Sequence, residues 1–291
     1  MKQPFSMLSD ADCYSSMNGT RTQYDTTNCQ EVYTNDYMSR SDIPDNISEK
    51  KHILFLGDSF VFGHKILRHE TISAHFDKML NNDDYCVVNL GVNGSSLELA
   101  MIRLQQWQNT FPNNIHSVYL GISGAARSTH WISSVGSLDN NTYSSTAVVS
   151  RFNFVVNAIP PKVNIEEYSI QKHATTLISK VNCLANVDSR LMNLKYLANA
   201  NNFNVYTFIT IDDMLIEEEH DTLKSHLEKD NSINFIYKKF DDIAQEIHDL
   251  QVLKARQNLS QSNYFLPCRH YNSDGCNEVA KIFIDETSGW Y

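Results

Sequence analysis

The run His52-Ile53-Leu54-Phe55-Leu56 stops at Gly57, and three comparable apolar runs follow it along the chain. They are Tyr85-Cys86-Val87-Val88-Asn89-Leu90, Ser117-Val118-Tyr119-Leu120-Gly121-Ile122 and Asn204-Val205-Tyr206-Thr207-Phe208-Ile209-Thr210-Ile211. Short continuous apolar runs suit strands buried on both faces, the situation of a parallel sheet. Between the first two, Ile72, Phe76, Met79 and Leu80 recur at helical spacing; between the second and third, Leu97, Met101 and Leu104 do the same, with Ala100 and Trp107 alongside. Strand, helix, strand, helix, strand implies right-handed crossovers and helices on both faces of the sheet. The expected fold class is therefore α/β: three layers, α/β/α, around a mainly parallel, flavodoxin-like central sheet.

Helical sequence also runs from about 165 to 200, before the fourth strand, and from about 236 to 250 after it. A last amphipathic helix carries Val279, Ile282 and Phe283. The stretch 124–163 mixes Ser, Asn and Gly with apolar pieces and reads as an insertion after the third strand. Open parallel sheets bind ligands at that carboxyl edge. Residues 1–50 are polar, rich in Ser, Asn, Asp and Thr, and without sustained periodicity, so they read as an N-terminal extension to a domain spanning 51–291.

Composition narrows the partners. The chain has 291 residues, 42% hydrophobic and 20% charged, enough for one large domain or two small ones. Its net charge of −10 disfavours nucleic acid, whose backbone needs clustered Lys and Arg. No run approaches the roughly 18 apolar residues of a membrane helix, and the first residues lack the apolar stretch of a signal peptide. A soluble, cytoplasmic protein with no membrane partner is expected. The six cysteines are too sparse for a disulfide framework; Cys86 reads as a core residue, and Cys268 and Cys276 lie close enough for a local bridge. His69 and His75 do not have the spacing of a zinc-binding His-Glu-x-x-His helix, and no metal or cofactor is expected.

Chemistry points to the end of the first run. Gly57-Asp58-Ser59-Phe60, with Gly63 following, places a serine where a strand turns into a helix. Its hydroxyl is then exposed at the sheet edge, beside backbone N–H groups able to hold an oxyanion. Asp58 and Ser59 could equally be helix caps, since these residue types lead at such positions. The second run ends in Asn89-Leu90-Gly91-Val92-Asn93-Gly94, and Ser95 and Glu98 have capping-box spacing. Gly94 would then lie at the positive end of a helix, although a tight turn explains the glycines as well. Among eleven histidines, His270 stands out because its loop, Pro267-Cys268-Arg269-His270-Tyr271-Asn272, directly precedes the last helix. A histidine there can reach over the sheet edge to Ser59.

These segments resemble the SGNH, or GDSL-type, hydrolases. Gly57-Asp58-Ser59-Phe60 is similar to their first block, with Phe60 for the more usual leucine; 89–94 is similar to the second and 270–280 to the last. The resemblance implies an SGNH hydrolase-like domain in which Ser59 is the nucleophile and His270 the general base. It implies an oxyanion hole built from the N–H groups of Ser59 and Gly94. The family's third block usually supplies an asparagine where this chain reads Gly121-Ile122-Ser123-Gly124, so Ser123 would stand in. Asp58, Asn93 and Arg127 are candidate substrate contacts. The orienting acid normally lies three residues before the histidine, where this chain has Pro267. A backbone carbonyl could orient His270 instead, or another acid such as Asp274 or Asp212. The activity implied is hydrolysis of a small acyl ester, with an O-acetyl group on a carbohydrate as the substrate class. An O-acyltransferase using the same serine, and a non-catalytic protein on the same fold, stay open.

Overall fold

The computed structural model describes residues 39–64, 66–92, 95–122, 187–210, 223–229, 234–236, 264–266, 270–287 and 289, and the backbone alone of 128–133, 144–149, 154–157, 180–186 and 217–222. The four apolar runs all form strands: β1 (Lys51–Leu56), β2 (Tyr85–Asn89), β3 (Ile115–Ile122) and, later in the chain, β7 (Asn204–Ile209). With β8 (Asn234–Phe235) they make one five-stranded sheet in the order β2-β1-β3-β7-β8. Every pairing in it is parallel. Counted along the sheet this is the 2-1-3-4-5 order of flavodoxin-like folds, in which the chain reverses direction between its first and third strands. The expected α/β class is the one observed.

Helices cover both faces. The short turn α1 (Ser59–Phe62), α2 (Ile72–Leu80) and α3 (Leu97–Thr110) fall in the first two crossovers. After β3 come α4 (Lys180–Asn201) before β7, α5 (Glu217–Glu228) after it, and α6 (Ser273–Thr287) near the C-terminus. α6 packs on α2 on one face, and α3 on α4 on the other. Between β3 and α4 the chain makes a separate antiparallel sheet of β4 (Ser128–Ser133), β5 (Ser144–Val149) and β6 (Phe154–Asn157), with β4 beside α3. Among the described residues no helix is long and apolar enough to cross a membrane.

The core explains why the runs had to be apolar. Phe55, Tyr119 and Tyr206 stand side by side on β1, β3 and β7, in matching register. Their rings stack at 4.8 Å and 4.9 Å between centroids, and Phe283 of α6 closes over Tyr119 at 5.1 Å. The Tyr119 hydroxyl, which would be costly to bury alone, is paired with Thr287 Oγ1 at 2.8 Å.

Several expectations are corrected by detail. Ser96, not Ser95, caps α3: its backbone is extended and its Oγ accepts from Leu99 N at 3.4 Å, while Ser95 Oγ donates to the Ser96 carbonyl. Cys276 is a free, fully buried thiol, so no bridge to Cys268 is formed. Burial pushes the Cys86 thiol up to about 12 and raises that of Cys276 as well, which keeps both protonated. A two-residue strand, Asn234–Phe235, precedes the helical stretch expected from about 236, of which residues 237–250 lie outside the described residues. Of the stretch expected from 165, helix is described from Lys180.

Candidate active site

The sheet's reversal point sets the place. β1 has β2 on one side and β3 on the other, and the crevice beyond their carboxyl ends is where such folds bind ligands. Ser59 is the first residue of α1, immediately beyond β1, and is half-exposed.

α1 is a single turn because both of its ends are stopped. Asp58 is fully buried, and its Oδ1 accepts from Phe60 N at 3.0 Å as the N-cap. Gly63 (φ 81°, ψ 61°) ends the turn in the left-handed region, a conformation open to glycine at little cost. The N–H groups of Gly63 and His64 then both donate to the Ser59 carbonyl at 3.0 Å. The turn lies directly against β2's exit: a Cβ on Gly91 would stand 2.4 Å from Phe62 N. Asn89 Nδ2 donates to the Val61 carbonyl at 2.9 Å. From the N-terminal segment, the buried Arg40 guanidinium donates to the carbonyls of Phe62 (2.8 Å), Gly63 and Ile66 (2.5 Å) and lies over the Phe62 ring. Residues 60–62 are buried, so the serine hydroxyl is carried on a turn fixed from several sides.

His270 is delivered by a folded loop. Leu266 N donates to the His270 carbonyl at 2.8 Å and Asn272 N to that of Tyr264 at 2.9 Å, with an antiparallel bridge between Phe265 and Tyr271. Asn272 Oδ1 accepts from Gly275 N at 2.8 Å, which starts α6 and anchors the loop's far side. Tyr271 is buried against Phe60 at 5.1 Å and Phe265 at 5.3 Å. The result is that His270 Nε2 and Ser59 Oγ, 211 positions apart in sequence, lie 2.7 Å from one another. With the ring neutral and its proton on Nδ1, the hydroxyl donates to Nε2, the arrangement in which an imidazole can draw a proton from a serine.

Of the other residues singled out in the sequence, Asp58 takes the helix-cap role that the sequence also allowed, and it is fully buried there. Asp274 is exposed in the first turn of α6, where its charge bears on His75 of α2, and it makes no hydrogen bond to His270 among the described residues. Asn93, Gly94, Ser123, Arg127, Asp212 and Pro267 lie outside the described residues. Three contributors were not anticipated. Arg40 sits in a polar stretch without periodicity, Asn89 stands in the segment similar to the second block but with no role expected at the site, and His64 touches the His270 ring at 4.4 Å between centroids. Among the described residues no three His, Cys, Asp or Glu side chains converge as a metal site would require.

No protein-family model matches the chain, and no curated protein matches it in sequence. Several solved structures are similar in fold. A lipolytic protein of the G-D-S-L family from Desulfitobacterium hafniense matches over 80% of this chain and 98% of its own, at 9% identity and a TM-score of 0.44. An esterase of the SGNH-hydrolase family, AlinE4, covers 83% of this chain and 94% of its own at 12% identity and a TM-score of 0.39. A GDSL-like lipase from Bacteroides thetaiotaomicron covers 85% and 92% at 12% identity and a TM-score of 0.41. The likeness is loose, and what the site can do is read from Ser59 and His270 themselves.

Proposed function

We propose that this chain is a serine ester hydrolase of SGNH type, with Ser59 as nucleophile and His270 as general base. The observation that carries this reading is the 2.7 Å approach of Ser59 Oγ to His270 Nε2 at the carboxyl edge of a parallel sheet, beside its reversal point. Ser59 Oγ bonds to the ester carbonyl carbon while its proton passes to Nε2. The tetrahedral oxyanion is held by the Ser59 N–H, which as the first of α1 has no acceptor within the helix, together with Gly94 N–H and the Ser123 hydroxyl. The C–O bond to the leaving alcohol then breaks and the alcohol takes the proton from Nε2. Water, deprotonated by His270, releases the acid and restores the serine. The substrate is a small acyl ester, and an O-acetyl group on a carbohydrate is the class put forward.

A fluorophosphonate probe with peptide mass mapping tests the chemistry. Labelling at Ser59 that disappears in Ser59→Ala and His270→Ala, with parallel loss of p-nitrophenyl acetate hydrolysis, is the expected outcome. A folded wild-type protein that neither labels nor turns over overturns it. Acetate release from acetylated oligosaccharides, compared with simple acetate esters, tests the substrate class.

A further inference from the structure

A serine–histidine pair works only if the imidazole is held at the right rotation, because the terminal torsion of a histidine side chain is broad and roughly two-fold. In a triad a carboxylate behind the ring restrains it. Three residues before His270 this chain has Pro267, which carries no carboxylate, and Asp274 is exposed, with its charge bearing on His75. The described rings around His270 suggest another restraint. Phe60 stacks on it at 4.8 Å between centroids with 29° between planes, and His64 meets it at 4.4 Å and 45°. Phe60 lies on α1 and His64 directly after its Gly63 cap, and both rings meet that of His270.

We propose that His64 is a positioning residue for His270, its ring together with that of Phe60 restraining the plane of the imidazole in the orientation from which Nε2 meets Ser59 Oγ. This rests on the hydrolase reading above for its consequence, though not for its geometry. His64 is itself well placed for such a task. Its N–H donates to the Ser59 carbonyl at 3.0 Å, which ties it to the residue that His270 must address. The carbonyls of Gly63, just before it, and of Ile66, two residues after it, are held by Arg40. The segment around 39–41 therefore takes part in placing the ring: Arg40 N also donates to the Asn89 carbonyl at 2.9 Å, and Asn89 N to Ser41 Oγ at 2.7 Å. The contact needs a flat ring and not a titrating nitrogen, and that distinction makes it testable.

His64 is half-exposed, so His64→Ala should fold. The expected result is a roughly tenfold slower labelling of Ser59 by the fluorophosphonate and an equal fall in kcat on p-nitrophenyl acetate with KM unchanged, about 1.4 kcal/mol at the transition state. His64→Phe, which keeps a flat ring, should recover wild-type rates to within about twofold. In 15N-resolved imidazole spectra, His270 should show one tautomer in the wild type and in His64→Phe, and a mixture in His64→Ala. Wild-type behaviour of His64→Ala in rate and spectrum overturns the proposal, as does a His64→Phe no better than His64→Ala. A wild-type protein that fails to label, while the spectra still respond to His64→Ala as described, overturns the hydrolase reading and leaves the positioning role standing.

Discussion

At the entry to β1, His52 has both ring nitrogens occupied inside the protein; beyond the exit of the same strand, His270 turns one toward a half-exposed serine. His52 is fully buried. The Trp107 indole N–H, which can only donate, is 3.0 Å from Nδ1, so the proton of the neutral ring sits on Nε2 and is donated to the Ile47 carbonyl at 2.8 Å. Phe111 meets the ring edge-on at 5.1 Å. Burial pushes its pKa below the ordinary 6.5. His270 also touches aromatic rings, yet one nitrogen faces a hydroxyl at the carboxyl edge of the sheet. The residue type is the same at both ends; what separates a structural histidine from a candidate base is whether a ring nitrogen is left facing a reactive group that solvent can reach.

The comparison can be broken by exchanging the outcomes. His270→Ala should lower ester hydrolysis by about 10³-fold or more while changing stability by no more than about 1 kcal/mol. His52→Ala should do the reverse, costing about 2–4 kcal/mol in denaturant unfolding through a cavity and an unpaired indole N–H, with turnover per folded molecule unchanged. If His52→Ala abolished turnover in protein that is still folded, the division between the two ends would be wrong.

Acidification sharpens the same contrast. The unfolded chain takes up a proton at His52 near its ordinary value, and the folded chain only at lower pH. Stability is therefore complete above about 6.5 and is lost as pH falls toward and through the lowered folded value, by at most about 1.4 kcal/mol per pH unit for this one group. His75 and His116 are also lowered by burial and add in the same direction. Urea titrations at about pH 7.5 and 5.5 should therefore show a smaller difference in His52→Gln than in the wild type. An unchanged difference would remove His52 as a cause. The smallest effect is expected at Tyr196, 75% exposed on α4, where replacement by Ala should shift stability by less than about 0.5 kcal/mol.

Much of the fold was legible because its signals are local. Four apolar runs became four strands of one parallel sheet, and the helical spacing of Ile72 and Phe76, and of Leu97 and Leu104, became α2 and α3. β8 was not legible, since two residues carry no period, and the α3 cap was displaced by one residue because Ser95 and Ser96 are chemically alike. At the candidate site, Ser59 and His270 could be singled out by residue type and by their places before helices. Arg40 could not: nothing in a polar stretch announces that its guanidinium will meet the carbonyls of Phe62, Gly63 and Ile66. For Asp58 the sequence left a helix cap and a substrate contact both open, and the structure shows the buried cap.

The sequence by itself determined which segments become strands and helices, and hence that a serine stands where β1 hands over to α1. Periodicity and capping act between near neighbours, and near neighbours are what a sequence displays. The order β2-β1-β3-β7-β8, the meeting of residues 59 and 270, and the different surroundings of two histidines were decided only by the tertiary structure. Burial, ring contact and the direction of a nitrogen are set by residues as far as 211 positions away, and those neighbours exist only once the sheet has closed around them.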